Sequence, residues 1–366
     1  MINTDPRLYP TESALLERAL FSSAADGDHK KLADLLAQGA DPLAKNSRAA
    51  LLAADNGHAE CVALLAPISN LAATESRALI GAATKGYAEC VKILIAFCDA
   101  KINNSEALRN AASNGYSACV SMLIPHSEPC SIKSEALRWA SRHGHSDCVE
   151  LLLPFSNPLA LDSQALMLAA HKGHARCVSL LLPVSDPKAD NSYALRWAAT
   201  GGHAECVALL IPASDPPALN SAALFNAADQ GHADCVALLA PVSNVKAMES
   251  LALRVAVGKG NAECTAILLP LSDVEAADFE AFRLASASGD VSCARLLFAA
   301  MPSALSDKLL LSELSRAALH KGHFSIFSLL QELSPSFYAE FDLQAERQAA
   351  IVAKRPAAAV FFGCAH

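Results

Sequence analysis

From about residue 15 to residue 333 the apolar positions fall into short segments with helical spacing, and the segments recur at a fixed interval. The recurring phrase is Ala-Ala-x-x-Gly-His-Ala-x-Cys-Val-x-Leu-Leu. Its glycines are Gly57, Gly86, Gly115, Gly144, Gly173, Gly202, Gly231, Gly260 and Gly289, each 29 residues after the last. Gly27 precedes the series by 30 residues and Gly322 follows it by 33. Apolar residues at helical spacing on both sides of the glycine predict two short helices per block, with the glycine closing the first. Self-similarity at such a period is the signature of a solenoid, in which each unit buries its apolar face against its neighbours. A solenoid offers an extended surface more readily than a closed active site.

One block shows the pattern. Ser192 stands where a helix N-cap is expected, its hydroxyl placed to accept an N–H of the first turn. Serine recurs there as Ser47, Ser76, Ser105, Ser134, Ser163, Ser221 and Ser250. The first helix runs through Ala194, Leu195, Ala198 and Ala199 to Gly201-Gly202. The second runs from about His203 to Ile211, apolar on Cys206, Val207, Leu209 and Leu210, and Pro212 ends it. Ala213 to Asn220 is a turn-rich return. Helices of about nine residues do not persist alone in water, so stability has to come from stacking. The end units depart from the pattern. Asp28-His29 follows the first glycine with no cysteine after it. Phe324, Ile326 and Phe327 replace small residues in the last unit, after a longer connection around Met301 to Lys308.

This unit resembles the ankyrin repeat. Leu35-Leu36-Ala37-Gln38-Gly39-Ala40-Asp41-Pro42 is similar to the ankyrin L-L-x-x-G-A-D phrase, and the Gly-His pairs at His58, His145, His174, His203, His232 and His323 match as well. The resemblance covers residues 15–333 and implies an all-α, ankyrin-like helix-turn-helix repeat solenoid of about eleven units. Two departures matter. The T-P-L-H tetrad is replaced by Ser-x-Ala-Leu, often followed by Arg, and the period is about four residues short of the family's 33. With the helices intact, the missing residues come from the β-turn finger, so short or absent fingers are expected in a variant of bacterial type. The flanks are then a leader over 1–14 and a segment over 334–366. In the latter, a capping helix reaches to about Lys354 and a loose tail runs from Pro356 to His366.

Composition narrows the class. The chain is 52% hydrophobic but only 5% aromatic, so its core is built from Ala, Leu, Val and Cys. A net charge of −8 and a pI near 5.8 argue against a general nucleic-acid binder. No uncharged apolar run reaches the roughly 18 residues of a membrane span, and Met1 to Thr11 lacks the apolar core of a secretory signal. Of the twelve cysteines, nine share one register four residues after the glycine, Cys61 to Cys293. Equivalent positions in stacked helices lie about 8–10 Å apart, beyond the about 7 Å that a disulfide spans. The ladder also lacks zinc-site spacing. Buried thiols in a reducing compartment are expected, which points to the cytoplasm. Ala-rich, Lys-poor, near-identical repeats resemble bacterial arrays. Such arrays are often delivered into host cells, so the resemblance also raises an effector.

Candidate chemistry has a bland alternative at each position. The Gly-His histidines are expected to bridge backbone groups. His143 and His171, with Arg142 and Lys172, form either a basic pocket or, as is more usual, a solvated face. Arginine recurs six residues before the glycine, at Arg109, Arg138, Arg196, Arg254, Arg283 and Arg316; an inter-repeat hydrogen-bonding role is favoured over anion binding. Trp139 and Trp197 are the only tryptophans and are expected in the core; an exposed one would be an interface anchor. The two positions before each glycine vary most. In ankyrin-like arrays that row lines the concave groove. It supplies the candidate partner-binding residues Lys85, Asn114, Arg142, His143, His171, Lys172, Asp229, Gln230 and Lys259, although drift of solvent-facing residues gives the same pattern.

No nucleotide-binding, hydrolase or metalloprotease motif is present, and the repeats leave no room for an enzyme domain. No catalytic residue, cofactor or metal is assigned. The expected function is non-enzymatic recognition of another protein by a monomer, an adaptor or bacterial effector, without nucleic acid or membrane insertion. The alternatives are a thiol-based redox or metal-responsive regulator and an enzyme with an unrecognised site.

Overall fold

The computed structural model describes residues 12–340, and regular structure there is helical, with no strand among the described residues. The chain divides between Asp186 and Pro187 into two units. The first contains six helix pairs, from Glu12–Asp26 with His29–Ala37 to Ala160–His171 with Ala175–Leu181. The second contains five, from Ala189–Thr200 with Ala204–Leu210 to Lys308–Lys321 with Phe324–Leu333, followed by a short helix Pro335–Glu340. Within each unit, first helices pack on first helices and second on second.

The helix Ser131–His143 is representative. Ala136, Leu137 and Ala140 are buried on one face. Small side chains there let the next first helix approach closely. Burial of a leucine such as Leu137 contributes about 1.5–3 kcal/mol. Gly144 ends the helix at φ +79° and donates its N–H to the carbonyls of Ala140 and Ser141. A Cβ on this glycine would also lie 2.6 Å from Nδ1 of His174 in the next repeat. Glycine is therefore required twice, by its own backbone and by its neighbour's ring. The second helix, Ser146–Leu152, is only seven residues long and buries Cys148, Val149 and Leu152. It tightens into a 3₁₀ turn, Leu153–Phe155, that contains Pro154.

The return to the next repeat is as short as the period implies. No β-finger is built. Instead, three consecutive residues adopt left-handed dihedrals at the start of most first helices: Asn103-Asn104-Ser105 at φ 51°, 59° and 60°, and Ile132-Lys133-Ser134 at 45°, 56° and 58°. The right-handed helix starts after them. Left-handed geometry costs an L-residue about 1–2 kcal/mol, least for Asn and Asp, which recur here as Asn46, Asn104, Asp162, Asn191 and Asn220.

That geometry corrects the reading of the serines as N-caps. Ser76, which directly precedes a first helix, makes no side-chain cap bond. The serine hydroxyls, buried, instead accept a backbone N–H 23 residues further on: Ser47 from Asn70, Ser134 from Asn157 and Ser221 from Asn244, at 2.8–2.9 Å. The left-handed turn aims the hydroxyl away from its own helix and toward the strand of chain leaving the second helix, so each repeat is closed head to tail.

True side-chain caps occur where the pattern breaks. Asp28 accepts from the N–H of Lys31, Asp290 from Cys293, and Asp307 from Leu309 and Leu310. At the other end of the second unit, Tyr338 bonds to the buried Ser315 and its ring meets Phe327 edge-on at 5.3 Å. Of the leader expected over 1–14, residues 12–14 belong to the first helix, Glu12–Asp26; residues 1–11 and everything after Glu340, including Cys364 and the rest of the expected capping helix, lie outside the described residues.

Candidate surface of the first helices

The row before the glycines serves first to join repeats. At four repeats the residue just before the glycine reaches back to the carbonyl two positions before the previous glycine. Asn56 donates to Ala25 at 3.2 Å, Lys85 to Asp55 at 2.6 Å, Asn114 to Thr84 at 3.1 Å and His143 to Ser113 at 2.8 Å. The histidine after the glycine reaches the carbonyl at the same register. His58 Nε2 reaches Ala25 at 2.9 Å, His145 reaches Ser113 at 3.1 Å and His232 reaches Thr200 at 3.1 Å. The carbonyls of Ala25 and Ser113 thus take two donors each, as two lone pairs allow. The Gly-His residues bridge backbone groups, as expected, and do so between repeats.

These bonds sort the candidate residues. Lys85 and Asn114 are committed to stitching, and Lys85 also lies 3.9 Å from Asp55. Asp229 is paired with Lys259 at 3.4 Å and accepts from Gln230 at 2.7 Å. His171 is half-buried, while Arg142, His143 and Lys172 are exposed. A carbonyl only accepts, so the bond to Ser113 places a proton on Nδ1 of His143.

The tryptophans are not in the core. Both are half-buried on the same side as the variable row. Five residues before the glycine, the side chain leaves the helix between the Ala-Leu face and solvent, and the small core has no volume for an indole. Trp139 stacks on His143 at 5.6 Å with 24° between ring planes, and the Arg142 guanidinium sits 5.0 Å over the indole. In the second unit, Trp197 meets Tyr193 edge-on at 5.6 Å, with Arg196 4.8 Å over the tyrosine ring. Trp197, Tyr193 and Arg196 line a shallow hollow of about 230 Å³ with Asn226, Asp229 and Gln230.

The arginine ladder braces the left-handed turns. Arg109 donates to the carbonyls of Asn104 and Asn103, at 3.2 and 2.9 Å, and pairs with Glu135 of the next repeat at 2.5 Å. Arg138 repeats the arrangement on Lys133 and Ile132 and meets Gln164 at 2.6 Å. Arg254 pairs with Glu280, and Arg283 with Glu313 at 3.0 Å. A planar fork suits this three-point role. Its sequence signal was present, since Glu135, Gln164, Glu280 and Glu313 share one register.

The nine ladder cysteines are buried thiols, none of them in a disulfide. Burial pushes the thiols of Cys90, Cys148, Cys177, Cys235 and Cys293 up to about 11. That is opposite to the depression that activates a thiolate. Cys130 is exposed. Among the described residues, no group of three or more His, Cys, Asp and Glu side chains is placed to hold a metal ion, and no helix is long and apolar enough to cross a membrane.

The family model for ankyrin repeats, a three-copy model, matches residues 20–106, 79–162, 155–220 and 195–280. The chain belongs to the ankyrin repeat family. Its ankyrin repeats are an interaction scaffold for other proteins. Among solved structures, the human ASB11 ankyrin repeat domain is similar over 48% of this chain and 95% of that one, with 21% identity and a TM-score of 0.41. No curated protein sequence matches. The shortening of these ankyrin repeats falls in the finger, which a left-handed turn replaces.

Proposed function

We propose that this chain is a non-enzymatic recognition scaffold that binds a target protein along the row of first-helix residues preceding the glycines, as an adaptor or as an effector that sequesters its target. The observation that carries the reading is the placement of both tryptophans, Trp139 and Trp197, half-exposed beside that row with a cation over the aromatic cluster in each unit. Partly exposed aromatic and arginine side chains on a rigid frame are what binding hot spots are made of. The left-handed turns leave no finger to extend the contact surface, so recognition rests on the helix row.

The test is a pull-down from lysate with the intact chain, an Arg142→Glu/Lys172→Glu/Lys259→Glu variant and a Trp139→Ala/Trp197→Ala variant. A protein recovered near stoichiometrically with the first and absent from both variants, at unchanged thermal unfolding of the charge variant, supports the reading. Exposed substitutions move stability by under about 0.5 kcal/mol, so an equal loss of fold would place the row on the wrong side. A partner retained equally by all three would refute the helix row as the binding surface. Sedimentation of the purified chain checks the accompanying expectation that it acts as a monomer.

A further inference from the structure

Several cations along the stacked helices are matched to carboxylates. On the first-helix side of the first unit, Lys85 is near Asp55 and Arg109 is paired with Glu135. On the second helices, Arg176 meets Asp147 and Glu150. In the second unit, Lys259, Arg254 and Arg283 each have an acid. The aromatic cluster of the first unit is arranged differently. Around Trp139, neither Arg138, Arg142 nor Lys172 has a carboxylate within 4.0 Å among the described residues. The ladder position that would supply an acid to Arg138 is Gln164, where the preceding repeat has Glu135. Arg142 is committed only to the indole face. Lys172 is exposed, one repeat on, at the register that His143 holds in its own.

These groups share one side of two adjacent repeats. Trp139 stands between Arg138 and Arg142 on one helix, its ring flanked by the Arg142 guanidinium at 5.0 Å and the His143 imidazole at 5.6 Å. His143 is held by its Nδ1–H bond to Ser113, so its ring and the indole are oriented before any partner arrives. Concentrating unmatched positive charge on a chain of net charge −8 is a departure from its own background. A cation stacked on an aromatic face keeps its N–H edge available for a carboxylate fork.

Resting on the scaffold reading above, we infer that Trp139, Arg142 and Lys172 form the recognition point for an acidic segment of the partner protein, in which carboxylates engage Arg142 and Lys172 while an apolar side chain packs on Trp139. Arg138 adds charge without moving, since three hydrogen bonds hold it. A nucleic acid would have to approach an acidic protein through a patch two repeats wide, against the long-range repulsion of the remainder of the chain.

The experiment uses the full chain carrying Trp197→Phe, so that Trp139 is its only indole. The probe is a short synthetic peptide with glutamates on both sides of a central leucine, compared with the same peptide carrying glutamines and with a single-stranded oligonucleotide. The glutamate peptide is expected to change Trp139 emission saturably. The effect weakens as salt rises, because partly exposed ion pairs are screened within about 8–10 Å at ordinary ionic strength. Arg142→Gln with Lys172→Gln weakens it about tenfold or more, the scale of a hot-spot loss. Trp139→Leu, followed by calorimetry, does the same, and the two exposed charge variants keep the test valid should the indole variant unfold.

Equal binding of the glutamine peptide, no loss in the charge variant, or tighter binding of the oligonucleotide would each overturn the inference. The two readings fail differently. A partner captured in the pull-down that still binds the Arg142→Gln/Lys172→Gln variant, but not the Glu-reversed or tryptophan-less chains, overturns the acidic-segment assignment and leaves the scaffold standing. Absence of a row-dependent partner removes the scaffold reading itself.

Discussion

The hydroxyl of Ser134 accepts the backbone N–H of Asn157 at 2.8 Å, across 23 residues of chain. It is buried at the end of a left-handed turn and faces the point where the chain leaves the repeat. Substitution to alanine removes the acceptor and strands a partly buried donor. A Ser134→Ala variant is expected to lose about 1–3 kcal/mol of stability, read as a lower urea midpoint. An N-cap role would give a similar loss, so amide exchange decides between them. The Asn157 N–H, protected in the parent, is expected to exchange faster, while the amides of Glu135 to Leu137 stay unchanged.

The glycine at 144 is excluded from substitution by two independent effects. Its φ of +79° costs an alanine about 1–2 kcal/mol, and the added Cβ would push the His174 ring out of its bond to the Arg142 carbonyl, 3.1 Å long. Gly144→Ala is expected to be strongly destabilising in chemical denaturation. Placing His174→Ala in the same background should recover the steric part, leaving the conformational part behind. Strict additivity of the two changes would show that the ring does not occupy that space.

Arg109 is expected to be poorly replaced by lysine. Its fork serves two carbonyls and a carboxylate at once, and an ammonium on a flexible stem serves fewer. Arg109→Lys should destabilise by about 1–3 kcal/mol, the range for charge-assisted hydrogen bonds. A double-mutant cycle with Glu135→Gln should give a coupling well above the about 0–1 kcal/mol of an exposed pair, because both side chains are about 20% exposed.

Relief of backbone strain makes a prediction of the opposite sign. Leu161 holds φ 53° in the left-handed turn and is 41% exposed. Asparagine tolerates that conformation better, and little buried surface is lost. Leu161→Asn is expected to raise the midpoint of unfolding by the equivalent of about 0.5–1 kcal/mol, and a decrease would show that Leu161 contributes packing.

The thiol ladder sets the alkaline limit. Cys90, Cys148, Cys177, Cys235 and Cys293 are pushed from 9.0 up to about 11 by burial. In the unfolded chain these thiols lose protons near pH 9, whereas the folded chain keeps them toward pH 11. The unfolded state binds fewer protons in that window, so stability that is complete below pH 9 falls as pH rises through it. Thermal unfolding measured from pH 7 to 11 should show the decline, shallower after Cys148→Ala. Alkylation of the native protein near neutral pH, mapped by peptide, should modify Cys130 and spare the nine ladder thiols.

Much of this was legible along the chain. The 29-residue interval, the two helices per repeat, Gly144 as a terminator and Cys148 as a buried thiol all follow from residue spacing within one repeat, because helical periodicity and left-handed glycine are local properties. The shortened period also placed the missing residues in the finger. What the chain by itself did not decide was the direction of side chains whose partners lie in another turn of the array. Ser134 was read as a cap for its own helix, yet its hydroxyl serves Asn157, since three left-handed residues rotate it away. Trp139 was assigned to the core, yet it lies half-exposed beneath Arg142, since only packing against adjacent repeats determines how much volume remains inside. Arg109 reaches a carboxylate 26 residues away, and only the stacking of one first helix on the next brings that group within range.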